Sequence, residues 1–167
     1  MFERFDRSAR RALDRASERA RLLGAESVQP EHLLLALSCG AGGSAASRAL
    51  AEAGIDDDAL LADAIEQDLV ARLEVVGVPP SVVASLPALP RGDRPPLSLG
   101  MRDALECALR EAARAGSRRI GTEHLLLGAL RPPAVSAARI LARLDVDPER
   151  LAALVRLEMA ADQRRCA

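Results

Sequence analysis

The chain has no tryptophan, no tyrosine and no lysine, and its only aromatic residues are Phe2 and Phe5. Any core must therefore be filled by Leu, Ala, Val and Ile. All 23 basic residues are arginine, which excludes a phosphate-loop lysine, a Schiff-base lysine and lysine-directed modification. Charge of one sign is also lacking: the formal net charge is −1, too small to create a general field for nucleic acid or an anionic membrane. Cysteine is sparse. Cys39, Cys107 and Cys166 are odd in number and include no Cys-x-x-Cys pair, which argues against a disulfide framework or a zinc site. No apolar stretch reaches the roughly 18 residues of a membrane span, and the charged opening Met1-Phe2-Glu3-Arg4-Phe5-Asp6-Arg7 has no apolar run behind it. These absences predict a soluble, cytoplasmic protein with no nucleic-acid or membrane partner.

What is present is helical. Of 167 residues, 49% are hydrophobic, enough for one core in a single domain or in two small lobes that share it. Richness in Ala, Leu, Arg and Glu favours helices over strands, so the expected fold class is all-α.

The chain also repeats itself. Arg119-Ile120-Gly121-Thr122-Glu123-His124-Leu125-Leu126-Leu127-Gly128 restates Ser27-Val28-Gln29-Pro30-Glu31-His32-Leu33-Leu34-Leu35-Ala36, with the two Glu-His pairs 92 positions apart. Ala104, Leu105, Ala108, Ala112 and Gly116 keep the same offset from Ala12, Leu13, Ala16, Ala20 and Gly24. After a loop one residue shorter, Leu141, Val146 and Leu151 answer Leu50, Ile55 and Leu60 at an offset of 91. A one-residue loop change is cheap.

Within the first copy, Asp6 is a candidate N-cap for a helix whose small or apolar residues, Ala9 through Leu23, recur at spacings of three and four until Gly24 ends it. Pro30 suits the first position of a second helix, and Glu31 in its first turn complements the helix dipole. Leu33 to Leu37 is apolar all round, the mark of a buried central helix. Ser44 to Ala53 forms a third helix closed by Gly54, and Asp56, Asp57 and Asp58 open a fourth that carries Leu60, Leu61, Ile65 and Leu69. Ser98 takes the place of Asp6 in the second copy. The expected organisation is a first repeat over 1–69 and a Pro-rich insert over 70–97 that partly packs back on the lobes. A second repeat over 98–161 and a frayed tail over 162–167 follow.

The opening Met1 to Phe5, the helix from Arg10 to Gly24, the Gly121-Thr122-Glu123-His124 signature and the two-copy layout resemble the N-terminal Clp repeat domain of the Clp family of AAA+ unfoldases, especially its ClpC branch. That resemblance implies a pseudo-twofold bundle of eight helices in two four-helix repeats. It also implies a non-enzymatic module, without cofactor, that recognises protein or peptide substrates, degrons or adaptors. No Gly-x-x-x-x-Gly-Lys-[Ser/Thr] is present, so the module is expected without its motor, acting as an adaptor or sequestering protein or as a regulatory partner docked on a Clp unfoldase. Stand-alone proteins of this kind occur in actinobacteria, and the Ala-rich, Arg-for-Lys composition fits a GC-rich genome.

The resemblance further implies that the glutamate of each signature, with a hydroxyl residue at the start of the repeat, binds phosphorylated arginine. A carboxylate accepts two bonds from a guanidinium and helix N-termini favour a phosphate. On this reading Glu123, Thr122 and Ser98 form a competent site in the second copy. In the first, Glu31 is kept but Pro30 and Asp6 replace the hydroxyl residues, and the Asp6 carboxylate repels a phosphate. Helix-dipole complementation alone accounts equally well for both glutamates. His32 and His124 lack the His-Glu-x-x-His order of a metal site and read as hydrogen-bonded structural residues; no metal ligands are expected. Cys107 reads as a small core residue. The resemblance places peptide-like ligands near Phe2 and Arg102, between the N-terminus and the second repeat, while Phe5 reads as a staple for the first helix.

Overall fold

A carboxylate begins the first helix. Asp6 holds extended dihedrals and accepts from the Ala9 amide at 2.7 Å, opening α1 (Arg7–Leu22) in the computed structural model, which describes residues 4–38, 43–55, 58–75, 77, 79, 94–131 and 135–166. Ala9, Ala12, Ala16 and Ala20 form its buried stripe, whereas Leu23, expected on the same face, is 42% exposed because the helix has already ended. Gly24 at φ +68° turns the chain so that the Ala25 amide donates back to the Ala20 carbonyl at 2.9 Å, satisfying a carbonyl that the helix end leaves open.

The remaining helices among the described residues are α2 (Pro30–Ser38), α3 (Ala45–Glu52), α4 (Asp58–Val75), α5 (Leu99–Arg114), α6 (Thr122–Ala129), α7 (Val135–Arg143) and α8 (Pro148–Cys166). The chain is all-α, eight helices with no strand among the described residues. Ser98 caps α5 through its hydroxyl, which accepts from Met101 at 3.0 Å, and Gly116 ends it with the same turn as Gly24. The duplication read from the sequence therefore extends to the caps.

Two boundaries differ from expectation. Helix α4 continues past residue 69 to Val75. The tail expected from 162 is instead helical to Cys166, because Asp162 takes a two-pronged bond from Arg48 of α3 at 2.8 Å to each oxygen, while Arg48 also bonds Glu158. Arg139, equivalent to Arg48 in the second copy, ties α7 to Asp68 of α4 at 3.1 Å. The part of the insert at 80–93 lies outside the described residues; its end does pack back, the Val28 amide donating to the Pro96 carbonyl at 2.8 Å.

Helices α2 and α6 are the centre of the molecule. Leu33 through Leu37 and Leu125 through Ala129 are buried, and the two helices pack on each other, with α1 against α2 and α5 against α6. At Gly128 a β-carbon would lie 2.2 Å from the Ala104 carbonyl oxygen and 2.8 Å from the Ala108 amide nitrogen. Only glycine lets α6 approach the α5 backbone this closely. The interface between copies maps onto itself when they are exchanged: α1 touches α6 as α5 touches α2, and α3 lies on α8 as α7 lies on α4.

Candidate functional site

Two isolated β-bridges set the positions of the signature residues: Phe5 pairs with Ile120, and Leu97 pairs with Val28. These are the same bridge twice, related by the 92-residue offset. The Asp6 amide donates to the Ile120 carbonyl at 3.0 Å, and the Ser98 amide to the Val28 carbonyl at 3.1 Å. Each cap residue thus stands beside the signature of the other copy.

This corrects the expected grouping of Ser98 with Thr122 and Glu123. Ser98 begins α5, whose 16 residues span about 24 Å before the turn that leads into α6, so Ser98 and Thr122 lie at opposite ends of one hairpin. Ser98 instead neighbours Val28 and the start of α2; the ring of Pro30 is the nearest neighbour of Gly100. Asp6, expected beside Glu31, stands beside the start of α6. The hydroxyl Ser98 thus goes with the glutamate whose helix opens on Pro30, and the carboxylate Asp6 with the complete Gly-Thr-Glu-His signature.

At the Asp6 end a cavity of about 620 Å³ opens among the starts of α1, α3 and α6 and the last turns of α8. Asp6, Ser8, Arg11, Ser44, Thr122, Glu123, His124 and Asp162 are among its walls. Glu123 folds back over Gly121, where a β-carbon would meet its Oε1 at 2.2 Å and Oε2 at 2.5 Å. The backbone at Gly121 is an ordinary extended one, so the glycine is there for space. In the first copy Gln29 takes its place, and Glu31 is 7% exposed.

Burial pushes the Glu123 carboxyl up, but a protonated His124, the residue's own backbone amide and the Thr122 hydroxyl outweigh it and hold the group below the usual carboxylate range. The hydroxyl donates at 3.5 Å, and His124 Nδ1 lies 3.1 Å from Oε1. The same Nδ1 accepts from the Gly121 amide at 3.1 Å. An imidazole in that role carries its proton on Nε2, so His124 donates to Glu123 only when protonated. Its Nε2 is buried without a hydrogen-bond partner among the described residues. His32 plays the matching role in the first copy, accepting from the Gln29 amide at 2.9 Å; burial lowers its pKa to about 4. Both histidines are structural caps, as their place in the sequence suggests.

Of the other candidates, Phe2 lies outside the described residues. Phe5 is 3% exposed and fixed by its bridge to Ile120, a staple across the two copies. Arg102 is exposed on α5, but it is Arg10, its counterpart in the first copy, that lines a second cavity of about 430 Å³ with Leu13, Val28, Leu97, Met101 and Leu105. An ion pair from Arg94 to Asp14 lies at the same cavity, both residues being among its walls. Cys107 is half-buried with a free thiol. The equivalent arginines Arg48 and Arg139 went unnoticed in the sequence, although their 91-residue spacing was a signal. No helix among the described residues is long and apolar enough to cross a membrane.

A paired all-α bundle whose helix starts meet across a pseudo-twofold is a duplicated helical-repeat domain. The chain belongs to the family of the Clp repeat (R) N-terminal domain, which it matches over residues 4–90 and again over 97–164. It is 37% identical over 152 residues to the chaperone protein ClpC1 of Arabidopsis thaliana chloroplasts, a match covering 90% of this chain and 14% of that protein. A ClpA homolog of Guillardia theta is 37% identical over 148 residues, covering 88% of this chain and 16% of the relative. The chain thus spans about 15% of such relatives. Among solved structures, the N-terminal domain of the ClpD chaperone of Arabidopsis thaliana aligns with a TM-score of 0.67 at 24% identity, covering 95% of this chain and 99% of that one. The N-terminal domain of Hsp104 from Candida albicans aligns at 0.60 and 16% identity, covering 92% and 89%.

Proposed function

We propose that this Clp repeat protein is a non-enzymatic recognition module that captures protein substrates, degrons or peptide-like ligands of a Clp protease system, as an adaptor or sequestering protein in the cytoplasm. One observation carries the reading. The cavity at the starts of α1 and α6 puts an ionised, three-quarters buried glutamate at two helix N-termini, an arrangement suited to binding a charged side chain rather than to chemistry on it. The second cavity, mostly apolar but with Arg10 and the Arg94–Asp14 ion pair among its walls, suits the hydrophobic part of a bound segment.

An affinity pull-down with the full chain as bait, followed by mass spectrometry of crosslinked partners, tests the proposal. Enrichment of many unrelated client proteins supports capture. Enrichment of a single Clp subunit in equal amount supports the alternative, a regulator that docks on the unfoldase and competes for assembly. No specific partner of either kind overturns both.

A further inference from the structure

We infer that the end of α5 carries an interaction surface for an acidic protein segment, built on Glu111 and the arginines gathered around it. The inference deepens the recognition reading, and rests on it only in taking the partner to be a protein. Glu111 is 7% exposed, and its Oε1 accepts from two guanidiniums, Arg114 at 2.7 Å and Arg131, just after α6, at 3.1 Å. Arg156 of α8 is a third cation within electrostatic reach of the same carboxylate. One carboxylate cannot neutralise three guanidiniums. The stretch after Arg114 adds Arg118 and Arg119 and holds no acid before Glu123, so five arginines stand against one glutamate in a chain whose formal net charge is −1. The acids flanking the cluster have cations of their own: Glu106 pairs with Arg110 at 3.2 Å, Glu158 is bonded by Arg48, and Glu149 is followed directly by Arg150.

The first copy supplies the contrast. At the related positions stand Arg19, Leu22, Glu26, Ser27, Cys39 and Ile65, one arginine against one glutamate. Features that the fold needs, the caps, the β-bridges and the closing glycines, recur in both copies. This cluster does not recur, so folding does not call for it. Its geometry suits a carboxylate-bearing partner. Glu111 holds Arg114 and Arg131 side by side while their side chains stay 62% and 46% exposed, so less rotamer freedom is lost when a further carboxylate arrives. Each gives Glu111 one of its five N–H donors and keeps others for the planar, two-pronged bond that carboxylates accept. Single-stranded nucleic acid stacks on aromatic rings, and no aromatic residue follows Phe5 in the chain. None of the five arginines is among the walls of either cavity described above.

The test is a titration of the full chain with a hexaglutamate peptide, followed by calorimetry and by backbone amide NMR. The expected result is binding that weakens with salt, with the shifted amides gathered at the end of α5, at Arg131 and along the middle of α8. The double variant Arg114→Gln/Arg156→Gln, which changes two exposed side chains and leaves the Glu111–Arg131 pair in place, binds the peptide about tenfold more weakly. Arg21→Gln/Arg164→Gln removes as much charge at the ends of α1 and α8, and weakens it less than about twofold. Absence of binding overturns the inference, as does an equal loss in the two double variants or tighter binding of a short oligothymidylate than of hexaglutamate. The pull-down reads the whole chain, so clients captured without peptide binding sink this inference alone, and peptide binding without any specific partner sinks the recognition reading alone.

Discussion

The Asp6 amide donates to the Ile120 carbonyl at 3.0 Å, joining the first helix of one copy to the signature of the other. Through this bond and its counterpart from Ser98 to Val28, each copy completes the other's helix start. A substitution at either signature is therefore felt in a site that also contains residues of the opposite copy.

Gly121 leaves room for the Glu123 carboxylate, and the obstructing atoms belong to the end of a flexible side chain. Gly121→Ala is expected to cost little stability, under about 1 kcal/mol, yet to push the carboxylate out of the cavity. NMR titration of the glutamate carboxyls checks this: the Glu123 resonance should move up toward the ordinary carboxylate range as its contacts with Thr122 and its own amide are lost.

Gly128 is different in kind, because what a side chain would meet there is the α5 backbone at Ala104 and Ala108. Helices cannot yield as a side chain can. Gly128→Ala should destabilise the fold by about 1–3 kcal/mol, lowering the melting temperature by about 2–4 °C per kcal/mol. A thermal melt followed by circular dichroism reads the loss.

His32 is buried neutral, its pKa pushed down to about 4 by burial. The unfolded chain takes up this proton near pH 6.5, so between there and about 4 the unfolded state binds more protons than the folded one. Stability should therefore be fully present above pH 6.5 and fall as pH drops toward 4. His32→Gln keeps an acceptor for the Gln29 amide and removes the titration; urea midpoints measured across this range should vary less with pH in the variant.

Gly54 and Asp145 occupy the same turn after the third helix of each copy, at φ +78° and +56°. In both, the next amide donates back into the helix, from Ile55 to Leu50 at 2.8 Å and from Val146 to Leu141 at 2.9 Å. Left-handed backbone costs a residue with a β-carbon about 1–2 kcal/mol, less for aspartate. Gly54→Ala should lose about 1 kcal/mol and Asp145→Gly gain a few tenths, seen as opposite shifts in the urea midpoint at constant slope.

Much of this molecule was legible in its residues. The caps Asp6 and Ser98, the closing glycines Gly24, Gly54 and Gly116, and the all-apolar runs after each Glu-His pair specify helices through interactions of a few residues, which a sequence displays directly. Duplication was equally plain, since a repeated helix needs repeated spacing. Less legible was the extent of α8, because Asp162 is held by Arg48, 114 positions away.

The grouping of the candidate site was not legible. Reading each copy as self-contained placed Ser98 with Glu123 and Asp6 with Glu31, and the fold exchanges those partners. The bonds responsible run between backbone amides and carbonyls at Phe5–Asp6, Ile120, Leu97–Ser98 and Val28, and such groups are present in every residue whatever its side chain. An apolar residue just before each cap and just before each signature was the only trace they left. The sequence by itself determined the helices, their ends and their twofold repetition, because those depend on local chemistry. Which helix start faces which glutamate depends on burying α2 and α6 against each other, and that only the tertiary structure decided.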